Sequence, residues 1–143
     1  MERRKLIIDA LIFKWGKSYG YQEYLFNLLE YILKNRDFLE YERVSIVCDI
    51  SQKKYFERYS KKINIITFNV ANKLAQLFVQ STLKWRLRLT KNDVILFTYN
   101  YSSLIKQCKH VLVIHDLLYL RKKLFPYFLM RIQRLFYILV PVL

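Results

Sequence analysis

The stretch His110-Val-Leu-Val-Ile-His115-Asp116 decides how this chain is read. Four apolar residues, three of them β-branched, run directly into an imidazole and a carboxylate. Such a run is the pattern of a strand buried on both faces of a parallel sheet. In open α/β sheets ligands bind beyond the carboxyl ends of the strands. His115 and Asp116 therefore fall where chemistry or recognition is expected. His110, at the opposite end of the same strand, reads as structural.

Working outward, the same apolar pattern recurs four more times. Lys5 to Phe13 reads as a first strand, broken only by Asp9. A turn-like stretch, Lys14 to Gly20, follows. Tyr21, Tyr24, Leu25, Leu28, Leu29, Ile32 and Leu33 then fall on one helical stripe. Val44 to Ile50 reads as a second strand. Ser51 is placed to cap a short basic helix through about Tyr59. Ile63 to Phe68 reads as a third strand, and Asn72 as the cap of a helix from Lys73 to about Leu89. Asp93 to Thr98 reads as a fourth strand, Ser102 to Lys106 as a helical turn, and Val111 to Ile114 as the fifth strand. Pro126 suits the first turn of a last helix running to the chain end.

Strands alternating with helices predict an α/β fold: a Rossmann-like, doubly wound parallel sheet with helices on both faces. The expected strand order is 3-2-1-4-5. That order sets strands one and four side by side, so the loops after strands one, four and five share a crevice. Gly16 to Gly20, Thr98 to Tyr101 and His115-Asp116 would line it.

Composition narrows the class. The 143 residues are 54% apolar with only two Gly and two Pro, enough for one cored domain over 1–143 and too ordered for low complexity. Cys48 and Cys108 are far apart and lack metal-ligand spacing, so buried free thiols in a reducing compartment are expected. Leu6-Ile-Ile is interrupted by Asp9 and followed by no cleavage site, which argues against a secretory signal. The net charge is +14 and is uneven. Between Ser51 and Lys91 ten Lys and Arg face Glu57 alone. Such a balance points to an anionic counter-surface, membrane or nucleic acid, or to a solvated basic face with no partner. No Asp-x-Asp occurs and no acidic neighbour pairs with Asp116, so neither a metal-diphosphate clamp nor a glycosidase carboxylate pair is present.

Three segments resemble family 4 glycosyltransferases, enzymes of the GT-B fold. They are Leu6-Ile-Ile-Asp9 with the loop to Gly20 and Tyr21-Gln-Glu-Tyr-Leu-Phe-Asn-Leu-Leu29; Asn92-Asp-Val-Ile-Leu-Phe-Thr-Tyr-Asn100; and Val111-Leu-Val-Ile-His115-Asp116-Leu-Leu-Tyr-Leu with Leu124-Phe-Pro126. They look like the N-terminal half of that family's fold. The resemblance implies transfer of a hexose from a nucleotide-sugar to a glycan or lipid-linked acceptor. It implies polysaccharide or lipopolysaccharide assembly at the cytoplasmic face of a bacterial membrane, the protein being cytoplasmic or peripheral there.

In that reading His115 positions the donor sugar near the diphosphate, and Asp116 orients His115, contacts the acceptor or caps the following turn. Gly16 and Gly20 bring backbone N–H groups to the donor phosphates ahead of the helix at Tyr21. Lys17, Ser18, Tyr99 and Asn100 line the acceptor side. No metal or other cofactor is implied beyond the nucleotide-sugar substrate. The family's Gly-Gly pair is separated here, and its Glu-x7-Glu motif lies in a second Rossmann-like domain not found in residues 1–143. The chain is therefore expected to be a truncated, acceptor-side half, inactive alone. The alternatives are a non-enzymatic basic module on anionic membrane or nucleic acid, or an inactive gene remnant. The aromatics fall mostly on core-like stripes, and no recognised RNA-binding motif appears, which argues against nucleic acid.

The segment Lys73 to Leu89 interleaves Leu74, Leu77, Phe78, Trp85 and Leu89 with Lys84, Arg86 and Arg88. Some of these apolar residues are expected to pack on the sheet, while the cationic end with Trp85 suits lipid headgroups.

Overall fold

A computed structural model describes residues 4–17, 19–35, 41–99, 103, 105 and 108–113. It contains a five-stranded sheet, every pair parallel, in the order β3-β2-β1-β4-β5. The strands are β1 (Arg4–Ala10), β2 (Tyr41–Asp49), β3 (Asn64–Phe68), β4 (Val94–Phe97) and β5 (Lys109–Leu112). Helix α1 (Tyr19–Lys34) connects β1 to β2, and α2 (Lys73–Arg86) connects β3 to β4. This is the α/β Rossmann-like architecture, with the strand order expected from the sequence.

The two helices cover opposite faces because the side chains of β1 alternate. Leu6, Ile8 and Ala10 pack toward α1, where Tyr21, Leu25, Leu29 and Ile32 form the buried stripe. Ile7 and Leu11 pack toward α2, against Val79 and Leu83. β2 and β4 alternate the same way: Val44, Ile46, Cys48 and Val94 join the first cluster, and Val47, Ile95 and Phe97 join the second. β1 is paired on both sides, so its central residues are buried twice over, Ile8 to 0% exposure. At the other end of the sheet the Asp93 carboxylate accepts from Lys5 N (2.7 Å) and Thr90 N (2.6 Å), tying the start of β4 to the start of β1.

Several boundaries differ from expectation, each for a local reason. β1 ends at Ala10, not Phe13. The Asp9 side chain accepts the Leu11 N–H at 3.0 Å and turns the chain there. The basic segment after β2 is two short 3-10 helices, Ile50–Tyr55 and Glu57–Tyr59; the first is capped by Asp49, not Ser51, and the second has no side-chain cap. Asn72 does cap α2, accepting from Ala75 N at 2.9 Å. The helix stops at Arg86 because Leu89 N donates to Lys84 O (2.8 Å) and Arg88 N to Trp85 O (3.4 Å), the paired bonds of a Schellman turn. That turn places Arg88 in the left-handed region, φ 49°, where glycine is the usual occupant. β5 starts two residues earlier than expected, and His110 lies inside it opposite Ile95, its ring edge-on to Phe97 at 5.0 Å. The connection expected at Ser102 to Lys106 falls mostly outside the described residues, and the helix expected after Pro126 lies wholly outside them.

Both cysteines are free and buried. Burial pushes the Cys48 thiol up to about 12 and the Cys108 thiol up to about 11, with the neighbouring Asp49 and Asp93 carboxylates adding to it.

Candidate functional site

Beyond the carboxyl ends of β1 to β4 lies a cleft of about 620 Å³. Four connections build it. The turn after β1 gives Leu11, Ile12, Lys14 and Lys17. The end of β2 gives Asp49, the β3–α2 junction gives Val70 to Lys73, and the residue pair after β4 ends in Tyr99. Tyr21 of α1 and Gln76 of α2 close the sides.

The turn after β1 is held from three directions. Trp15 stacks on Tyr55 with ring centroids 4.5 Å apart and planes 6° from parallel. Trp15 N donates to Gln52 Oε1 at 3.0 Å, and Gly16 N donates to Gln22 Oε1 at 3.3 Å. Gly16 adopts φ 74°, a conformation that disfavours a side chain. Lys14 and Lys17 are thereby carried on an anchored turn rather than a loose one.

Asp49 joins two of the connections. Its Oδ1 accepts from Ser51 N (2.9 Å) and Ser51 Oγ (2.5 Å), and its Oδ2 accepts from Val70 N (2.9 Å). Burial works to raise this carboxyl, but the bonds from Ser51 and Val70 and the charge of Lys14 outweigh it and hold it below its ordinary value. The group is a charged brace whose oxygens already serve the fold.

Behind the cleft, a buried network links β1, β4 and both helices. Thr98 Oγ1 donates to the Asp9 carbonyl at 2.6 Å. A hydroxyl has one proton, so the Tyr21 hydroxyl is the donor in the 2.7 Å bond to Thr98 Oγ1. Tyr99 meets Tyr21 edge-on, centroids 5.3 Å apart. On the α2 side, Gln80 Nε2 donates to Asp9 Oδ2 at 2.5 Å. Burial pushes the Asp9 carboxyl up to about 6 from its ordinary 3.8, against the lowering effect of its bonds from Leu11 and Gln80.

The charge balance of the cleft favours anions. Lys14, Lys17 and Lys73 line it, and the one carboxylate among its lining residues is the braced Asp49. The first turn of α2 also faces it, with no acidic residue in that turn. Helix N-termini present unsatisfied N–H groups and a positive dipole end.

The sequence-predicted residues separate into three groups. Lys17 and Tyr99 line the cleft. Gly16 and Gly20 lie beside it, in the β1 turn and the first turn of α1, and are not among its lining residues. Gly20 has open space where a Cβ would stand, so packing does not demand glycine there. His115, Asp116, Ser18 and Asn100 lie outside the described residues. Lys14, Asp49, Lys73 and Gln76 were missed. One signal pointed to Lys73: a cation in the first turn of a capped helix opposes the dipole, and is tolerated best where an anion is to be bound.

Among the described residues no group of three or more His, Cys, Asp and Glu comes together that could hold a metal ion. No described helix is long and apolar enough to cross a membrane. The fold and cleft define an α/β domain of the Rossmann-like class with a basic switch-point cleft. Comparison with family models, curated proteins and solved structures finds no match for this chain.

Proposed function

We propose that this domain is the acceptor-side half of a GT-B glycosyltransferase. It would take part in moving a hexose from a nucleotide-sugar to a glycan or lipid-linked acceptor, in the cytoplasm or at the inner face of the cell membrane. One observation carries the reading: a lysine-lined cleft lies at the switch point of a 3-2-1-4-5 parallel sheet, beside two helix N-termini. Acceptors of this class carry sugars and, when lipid-linked, phosphate. Lys14, Lys17 and Lys73 would hold the phosphate, and Tyr21 and Tyr99 offer an aromatic wall for a sugar ring. The resemblance around Val111 to Asp116 supports the same assignment. In it His115 would reach the donor sugar, Asp116 would orient that imidazole, and a second Rossmann-like domain would bring the nucleotide.

The test is binding, followed by transfer. The chain is titrated by NMR with polyprenyl-phosphate and polyprenyl-diphosphate sugars in detergent, with short oligosaccharides, and with UDP- and GDP-hexoses. Saturable binding of a phosphate-bearing acceptor is expected. It should weaken about a hundredfold in the Lys17→Ala/Lys73→Ala variant, since each of the two lost charge-assisted contacts is worth roughly 1.5 kcal/mol. The chain alone is expected to turn over none of the nucleotide-sugars. Binding of no acceptor, or binding indifferent to both lysines, would overturn the proposal.

A further inference from the structure

The outer face of α2 is left unexplained by the cleft. At about 100° per residue, Leu74, Phe78 and Trp85 fall within about 40° of one another. They point away from Val79 and Leu83, which meet the sheet. They are 77%, 61% and 60% exposed. Cations border the stripe on both sides. Lys84 lies along one edge and Arg86 along the other. The Arg86 guanidinium stands 5.6 Å from the Phe78 ring centroid, and its Nε donates to Thr82 Oγ1 at 2.7 Å. The helix carries no acidic residue, and Glu57 is the single acid between Ser51 and Lys91.

We propose that this face docks α2 in the plane of an anionic phospholipid bilayer. Leu74, Phe78 and Trp85 enter the boundary between headgroups and acyl chains, and the flanking cations meet lipid phosphates. An aligned apolar stripe rimmed by Lys and Arg is the arrangement that binds such an interface. Tryptophan prefers that depth, where its ring is apolar and its N–H stays wet. The helix is about 21 Å long at 1.5 Å per residue, too short to span the hydrocarbon, so it lies on the surface.

Charge selects this occupant over its rivals. A second copy seated stripe to stripe would bring two sets of cations together. The chain's own stretch 117–143 carries five Lys and Arg and no acid, so it meets the same repulsion. A nucleic acid would engage the cations but leave Leu74 and Phe78 in water.

The proposal does not depend on sugar transfer, because vesicles are bound or not whatever the cleft accepts. The full chain is floated with vesicles of phosphatidylcholine alone and with an added fraction of phosphatidylglycerol, across a salt series. Trp15→Phe leaves Trp85 as the sole indole. Binding at least about tenfold tighter to the anionic vesicles is expected, weakening with salt. Trp85 emission should shift to the blue and be quenched by brominated lipid. The Leu74→Ser/Phe78→Ser/Trp85→Ser variant should lose about tenfold or more in affinity with an unchanged circular dichroism spectrum. The quenching measurement keeps the stripe intact and decides the matter even where the serine variant misfolds. Absence of flotation, Trp85 emission unaffected by vesicles, or a folded serine variant that binds as well as wild type would overturn it. So would an oligonucleotide that binds this face in preference to the vesicles.

Discussion

Replacing Asp9 with asparagine should stabilise the protein in neutral and alkaline solution and change little in acid. Asp9 is 4% exposed, with one oxygen accepting from Leu11 N and the other from Gln80 Nε2. Its carboxyl is pushed up to about 6 from 3.8, chiefly by burial. A raised carboxyl pKa means that the folded state holds the proton more tightly than the unfolded chain. The native state is therefore favoured below pH 3.8 and loses stability as pH rises toward 6. At 1.36 kcal/mol per tenfold, the full cost above that window is about 3 kcal/mol. Screening by solvent does not reduce it, because the group is buried. Asparagine keeps the acceptor for Leu11 and removes the charge, and Gln80 can turn its amide to meet the new N–H. Urea unfolding of both proteins from pH 3.5 to 8 reads the difference. It should be near zero at the acid end, grow across pH 4 to 6, and level off at about 2–3 kcal/mol in favour of the variant, or roughly 10 °C in Tm. A difference that stays flat across this range would refute the reasoning, because it would mean that the carboxyl titrates alike in both states.

Two further outcomes follow from the same structure. Thr98→Val removes the hydroxyl that donates to the Asp9 carbonyl and accepts from Tyr21, and should cost about 1–3 kcal/mol in chemical denaturation; Tyr21→Phe should add little on top of it, because the two changes break one chain of bonds. Arg88→Gly should raise stability by about 0.5–1 kcal/mol, because Arg88 holds φ 49° in the turn that ends α2; thermal unfolding that moves the other way would show that the arginine side chain outweighs the backbone.

Five apolar runs of strand length, separated by helical or turn-like stretches, were enough to fix the class of fold, and they did so for a physical reason. A strand buried on both faces of a parallel sheet cannot alternate with polar residues, so Leu6 to Ala10, Val44 to Cys48 and Val94 to Phe97 announce both their conformation and their layer. The α1 stripe and the Asn72 cap were legible for the same kind of reason, because each is a relation among residues a few positions apart. The side of α2 that meets the sheet was not. Three of its large apolar residues, Leu74, Phe78 and Trp85, face outward, while Gln76 and Gln80 are buried with Val79 and Leu83. Helical periodicity reports an apolar stripe but not what lies beneath it. Beneath α2 lies Asp9, a buried carboxylate that requires a donor, and Gln80 supplies it. The cleft, too, belongs to the tertiary structure. Lys14, Lys17, Asp49 and Lys73 come from three separate connections, and only the side-by-side pairing of β1, β2 and β3 brings them to one rim. Sequence determines what is settled within a turn or two of chain; which charges share a cavity, and which carboxylate loses its water, are decided by strand order.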